Sequence, residues 1–176
     1  MNDAIERLVG RYDRAAFAPG RRPARVRVVV RGAGARDVVL AGGAATLAPA
    51  NGRPAAELSA DAETWERVVT EAAGALEAFG AGRLAVRRNL HVGVGFLAAT
   101  SGAGGPGRLR FRTVTTPRAR LSLLEAGSGP AVVALHGLGA TKVSFLTTVV
   151  GLAGEFRVIA ADLPGFGDSD KPIGAA

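Results

Sequence analysis

The stretch from Ala131 to Pro172 constrains this chain more than any other. Ala131 to Leu135 has no polar member and is bounded by Gly129-Pro130 and Gly137, so it reads as a strand buried on both faces. The period then changes. Phe145, Leu146, Val149, Val150, Ala153 and Phe156 make one apolar stripe, which predicts a helix over Lys142 to Phe156 with Gly154 near its end. A second buried strand is predicted from Arg157 to Ala161. Strand, helix and strand in so short a run make a βαβ unit with a right-handed crossover. Two loops leave the carboxyl ends of its strands, the edge at which open α/β sheets bind ligands. They are His136-Gly137-Leu138-Gly139 and Asp162-Leu163-Pro164-Gly165-Phe166-Gly167-Asp168-Ser169.

In that order and strand context, the two loops resemble those of the α/β-hydrolase superfamily. There a His-Gly-x-Gly loop after the third strand supplies half of the oxyanion hole, and an Asp-x-Pro-Gly-x-Gly-x-Ser loop follows the fourth. The resemblance implies that Leu138 donates its backbone N–H to a developing oxyanion. Gly137 and Gly139 on either side let the chain approach substrate with little side chain in the way. His136 reads as a buried imidazole that braces the loop rather than as a catalytic base. Asp162, ahead of Leu-Pro-Gly, reads as a turn former, since the family takes its triad acid from a later strand. Gly165, Gly167 and Ser169 complete the motif.

The nucleophile that the resemblance implies would sit in a Gly-x-Ser-x-Gly elbow after the fifth strand, followed by an acid and a His. None of the six serines (59, 101, 122, 128, 144, 169) lies in such an elbow. Nucleophile, acid and base are all missing from the pattern, which covers Arg108 to Pro172. The expectation is therefore a fragment, truncated before the elbow and inactive by itself. The full-length product would cleave an ester, thioester or related acyl bond with a Ser-His-Asp triad and no cofactor. The alternatives are a non-catalytic lipid-binding or interaction module on a hydrolase-like scaffold, and an acyltransferase of the same fold.

The chain is 48% hydrophobic and 21% charged, a globular mixture, and has no cysteine, so disulfide and thiol chemistry are excluded. Its +7 charge comes from twenty Arg and two Lys spread from Arg7 to Lys171. The single Trp and single Tyr are not interleaved with basic clusters, so a nucleic-acid surface is not expected. No basic leader precedes an apolar core, and no apolar run approaches the ~20 residues of a membrane span; a soluble, cytoplasmic protein is expected.

The first hundred residues read differently. Ile5, Leu8, Val9, Tyr12 and Ala16 predict an amphipathic helix over residues 1–17, closed by Pro19-Gly20. Val26, Val28 and Val30 then alternate with Arg25, Arg27 and Arg31, the pattern of a half-solvated antiparallel strand. Short strands follow at Asp37–Ala41, Ala45–Ala48 and Ala55–Ser59, and Asn51-Gly52 between the last two signals a hairpin. Asp61 is a good N-cap for one long helix carrying Trp65, Val68, Val69, Leu76 and Phe79. A strand over Arg83–Arg87 and a helix over Asn89–Ala99 close a helix-flanked antiparallel sheet, an α+β domain. His91 has no second ligand-type residue at helical spacing, so no metal site is read there.

The runs Ala56-Glu57-Leu58-Ser59-Ala60-Asp61-Ala62-Glu63-Thr64-Trp65 and Ala75-Leu76-Glu77-Ala78-Phe79-Gly80-Ala81-Gly82-Arg83-Leu84-Ala85-Val86 resemble sterol carrier protein-like lipid-binding domains. That resemblance implies an acyl or sterol cavity lined by Trp65, Val69, Phe79, Leu84, Val94 and Leu97; the alternative is that these side chains simply fill the core. The family's final helix is usually bulkier than this one, which carries Gly93, Gly95, Ala98 and Ala99. Thr100 to Gly107 is a glycine-rich linker by composition. Its Gly-x-Gly-x-x-Gly opens no helix and follows no strand, so it is not read as a dinucleotide loop. The division expected is a sterol carrier-like domain over 1–100, a linker over 101–107, and an incomplete α/β-hydrolase domain over 108–176 that begins with two alternating strands around Thr116-Pro117.

Overall fold

The computed structural model describes residues 2–19, 22–71, 74–101 and 108–172. The expected linker lies largely outside the described residues, as does its glycine motif, residues 102–107.

In the amino-terminal half, α1 (Asn2–Gly10) is followed by β1 (Ala24–Val30), β2 (Gly34–Ala41), β3 (Ala44–Pro49), β4 (Ala56–Ala60), α2 (Ala62–Thr70), α3 (Gly74–Gly80), β5 (Ala85–Arg88) and α4 (Leu90–Thr100). The strands form one sheet in the order β3-β2-β1-β4-β5. Val26, Val28 and Val30 of β1 face the core and are at most 3% exposed, as the two-residue period requires. On the opposite face Asp37 of β2, itself fully buried, is held by Arg27 at 2.8 Å and Arg25 at 3.0 Å.

Two expectations for this sheet fail. It is mixed rather than antiparallel, because β4 pairs with β1 in parallel, Val28 opposite Leu58. For the same reason Asn51-Gly52 turns no hairpin: the chain crosses from β3 at one edge to the far side of β1 before β4 begins. The long helix after Asp61 is also broken in two. Asp61 caps α2 by accepting the Thr64 N–H at 2.8 Å, but α2 ends at Thr70 and α3 starts at Gly74, whose bare Cα lies against the Arg67 carbonyl where a Cβ would overlap it. The first helix stops at Gly10, short of the expected residue 17.

The carboxyl-terminal half contains β6 (Arg110–Thr115), β7 (Arg120–Ala126), β8 (Ala131–Leu135), a 3₁₀ turn (Lys142–Phe145), α5 (Leu146–Leu152) and β9 (Arg157–Ala161). Its sheet runs β6-β7-β9-β8, with β8 and β9 parallel as the βαβ reading requires. β8 lies at the edge. Val133 is 62% and Leu135 61% exposed, so this strand is not buried on both faces. Helices cover only the side that carries Val158 and Ala160, both fully buried.

One apolar core runs through both halves. Every residue of α4 from Val92 to Thr100 is buried, because the helix is packed against β1, β4 and β5 on one side and β6 on the other. Its two glycines permit this. A Cβ at Gly93 would meet Val86 and Leu58, and one at Gly95 would overlap the Phe17 ring. Gly80 of α3 likewise packs against Val150 of α5.

Candidate active site

Both motif loops lie at the carboxyl ends of β8 and β9, and hydrogen bonds tie them together. The second loop is organised by Asp162. Its carboxylate accepts the Lys142 N–H at 2.7 Å, the Asp168 N–H at 2.9 Å and the Lys142 ammonium at 2.6 Å. Neither side chain of the Asp162–Lys142 pair is exposed. The Lys142 ammonium also reaches Asp168 at 3.0 Å and stands 4.7 Å from the centre of the Phe111 ring. Gly167 must be glycine here: it has φ +49°, and a Cβ on it would overlap the Asp162 carboxylate. Ser169 is structural as well. Its hydroxyl donates to the Asp162 carbonyl at 2.7 Å and accepts the Ser122 N–H at 2.8 Å, stitching the loop to β7. Gly165, at φ +94°, turns the loop between these anchors.

His136 is 5% exposed and joins the loops. Its Nε2 accepts the Leu163 N–H at 3.0 Å, so that nitrogen carries a lone pair and the proton sits on Nδ1. Nδ1 then donates to the Gly137 carbonyl at 2.8 Å, and the ring meets Phe166 edge-on at 5.3 Å. Both ring nitrogens are occupied within the loops. The Gly137 carbonyl also accepts the Ala140 N–H at 3.2 Å, closing a turn with Leu138 at its tip and Gly139 at φ +78°. Leu138 is 94% exposed, and among the described residues no group accepts its N–H.

Lys142 and Asp168 were not singled out from sequence. Neither belongs to a recognisable pair until the fold brings residues 142, 162 and 168 together. Nor was the partner of His91: its Nε2 lies 3.1 Å from Asp168 Oδ2, and its ring sits 5.4 Å from Phe17 and 5.7 Å from Phe111. Burial alone would raise the Asp168 carboxyl, but His91 and then Lys142 outweigh it and hold that group well below the usual carboxylate range. Among the described residues no group of three or more His, Asp or Glu is placed to hold a metal ion.

The six side chains read as lipid-lining form part of the core. Trp65, Val69, Leu84, Val94 and Leu97 are at most 3% exposed, and Phe79 packs against them half-buried. Trp65 also donates its indole N–H to the Val29 carbonyl at 3.0 Å. Three surface clefts of about 650, 460 and 500 Å³ are lined by other residues. No helix among the described residues is long and apolar enough to cross a membrane.

The family comparison meets the chain at these two loops. Residues 130–175 match the family described as alpha/beta hydrolase fold. An uncharacterised protein of Mycobacterium tuberculosis is 45% identical over 67 residues, which is 38% of this chain and 19% of that protein. A fluoroacetate dehalogenase of Burkholderia is 38% identical over 64 residues, 36% of this chain and 21% of that enzyme. A soluble epoxide hydrolase of Corynebacterium is 43% identical over 54 residues, 31% and 19% respectively. The chain thus spans about a fifth of the length of these relatives. Motif order and parallel strand context agree with this match: residues 130–175 are similar to the alpha/beta hydrolase fold family.

Proposed function

We propose that residues 108–172 supply the oxyanion-binding half of a hydrolase site, with the Leu138 N–H as one donor and His136, Gly137, Gly139, Asp162, Gly165, Gly167 and Ser169 as the frame that holds it. The observation that carries this reading is the Leu138 turn: an N–H with no acceptor among the described residues, at the tip of a loop whose neighbouring carbonyl is pinned by His136 and Ala140. A donor that is already fixed costs no reorganisation when negative charge develops.

The bond cleaved is proposed as an ester, thioester or related acyl bond. The relatives' names widen the class to epoxides and carbon–halogen bonds. One chemical step unites these: hydrolysis of any carboxylic ester, whether a substrate or an ester formed on an enzyme carboxylate, passes through a tetrahedral oxyanion. Leu138 would serve that step, while nucleophile, acid and base come from sequence outside this chain. Acyl transfer differs only in the acceptor, and a non-catalytic scaffold would lack the nucleophile. The test is turnover by a protein in which this segment is continued by the rest of a hydrolase domain. Leu138→Pro removes the donor and should lower kcat by ~10²–10³-fold; unchanged kcat with an unchanged fold would refute the assignment.

A second reading gives the amino-terminal half a lipid. What supports it is the sterol carrier-like sequence pattern together with α4, a helix apolar on every side. Because Trp65, Val69, Phe79, Leu84, Val94 and Leu97 pack as core, an acyl chain or sterol would have to part these packed elements to enter. Saturable uptake of a fluorescent fatty acid by the whole chain, weakened by Leu84→Asp in a variant that still folds, is the expected result; no uptake by the folded chain removes the reading.

A further inference from the structure

We propose that His91, carried by the amino-terminal half, is a positioning residue for the Leu138 amide in the carboxyl-terminal half. This rests on the reading of Leu138 as an oxyanion donor.

His91 lies in the first turn of α4, whose other members from Leu90 to Thr100 carry no charge. Phe17 on one side and Phe111 of β6 on another confine the imidazole. The charged groups facing it are Asp168, at 3.1 Å, and Lys142 behind Asp168. Arg120 and Lys171 line the same cleft as Asp168, but Arg120 is paired with Asp170 and Lys171 donates to the Gly167 carbonyl. The position of Asp168 is thus set from two directions: His91 from one half of the molecule, Lys142 and Asp162 from the other.

From Asp168 a route of alternating hydrogen bonds and peptide bonds leads to Leu138. The Asp168 N–H is held by the Asp162 carboxylate at 2.9 Å, at the far end of the loop that begins with Leu163. The Leu163 N–H is held by His136 at 3.0 Å, and His136 holds the Gly137 carbonyl at 2.8 Å, next to the Leu138 N–H. The links are 2.8–3.1 Å long and partly buried, so a displacement of Asp168 is passed on towards Leu138. If His91 served packing alone, any aromatic side chain between Phe17 and Phe111 would do as well. What the imidazole adds is a hydrogen-bond donor to Asp168.

Two substitutions separate those roles. His91→Phe keeps a ring and loses the donor, whereas His91→Gln keeps an N–H donor and loses the ring. On this chain, ring and donor both stabilise, so His91→Phe and His91→Gln should each unfold below wild type. The Leu138 amide chemical shift and the exchange rate of the Leu163 N–H should follow the donor. Exchange at Leu163 is expected to rise about tenfold in His91→Phe and in Asp168→Asn, and to return towards wild type in His91→Gln. Should His91→Gln fail to fold, the double variant of His91→Phe with Asp168→Asn decides: a coupled pair gives no further increase. Leu163 exchange and Leu138 shift unchanged in His91→Phe, or a full additive increase in the double variant, would overturn the proposal. These readouts report position alone. The oxyanion assignment stands or falls separately, on the turnover of Leu138→Pro.

Discussion

The Lys142 ammonium lies 2.6 Å from the Asp162 carboxylate with neither side chain exposed to solvent. This buried pair fixes the Asp-Leu-Pro-Gly-Phe-Gly-Asp-Ser loop, since the same carboxylate also accepts the backbone N–H groups of Lys142 and Asp168. Removing either partner leaves a buried charge with fewer partners, and the two losses are unequal.

Asp162→Leu leaves the buried Lys142 ammonium with Asp168 as its remaining carboxylate partner and unpairs two N–H groups, which should cost roughly 3–5 kcal/mol. Lys142→Met leaves Asp162 with both backbone donors and should cost less. Urea unfolding of the two variants checks the order; a larger loss in Lys142→Met would refute this account of the loop.

Gly167 and Gly137 make a second contrast. Gly167→Ala forces a Cβ into the Asp162 carboxylate at positive φ, and overpacking plus backbone strain should together destabilise by about 2–4 kcal/mol. Gly137→Ala meets open space without positive φ and should change stability by no more than about 0.5 kcal/mol. Equal melting temperatures for the two variants would contradict the structure.

Acid should destabilise this protein through its lowered carboxylates, the partly or fully buried Asp37, Glu125 and Asp168 foremost. Burial alone would raise Asp37, but Arg27 and Arg25 outweigh it; Glu125 is lowered in the same way by Arg157 and Arg112, and Asp168 by His91 and Lys142. A carboxylate whose folded-state pKa lies below its unfolded value of about 4 contributes stability above that value, which is lost progressively as pH falls below it. The urea midpoint should therefore be flat from about pH 7 to 5 and fall from about pH 4 downwards. In Asp37→Asn the midpoint is lower at pH 7, yet the fall on acidification is shallower. An equally steep fall in that variant would show that Asp37 contributes nothing to acid lability.

The apolar edge of β8 is a template for strand pairing. Replacing Val133 and Leu135 with Lys places charge on side chains that are already 62% and 61% exposed, so stability should change by less than about 1 kcal/mol while concentration-dependent aggregation falls. Light scattering of the two proteins at matched concentration measures this.

Much of the fold was legible in local pattern. The alternation of Val26, Val28 and Val30, the cap at Asp61 and the change of period at Leu135 predict their elements because burial on one face imposes a spacing on the residues themselves. The two hydrolase-like loops were legible for a related reason: Gly139, Gly165 and Gly167 stand at positive φ, and Gly167 also lies against a buried carboxylate that leaves no room for a side chain, a requirement written in the residue type.

What the sequence could not determine is which elements become neighbours. Asn51-Gly52 has the local chemistry of a hairpin, yet β4 pairs with β1, because the neighbour of a strand is chosen by the whole sheet. Ala131–Leu135 is apolar enough for a buried strand, yet edge or centre depends on what lies beside it. Gly93 and Gly95 look like dilution of a helix until Val86 and Phe17 are seen filling the space. Lys142, Asp162, Asp168 and His91 are ordinary polar residues in four places along the chain. Only the tertiary structure brings them within hydrogen-bond distance, with Lys142 and Asp162 fully buried, where an unpaired charge is costly.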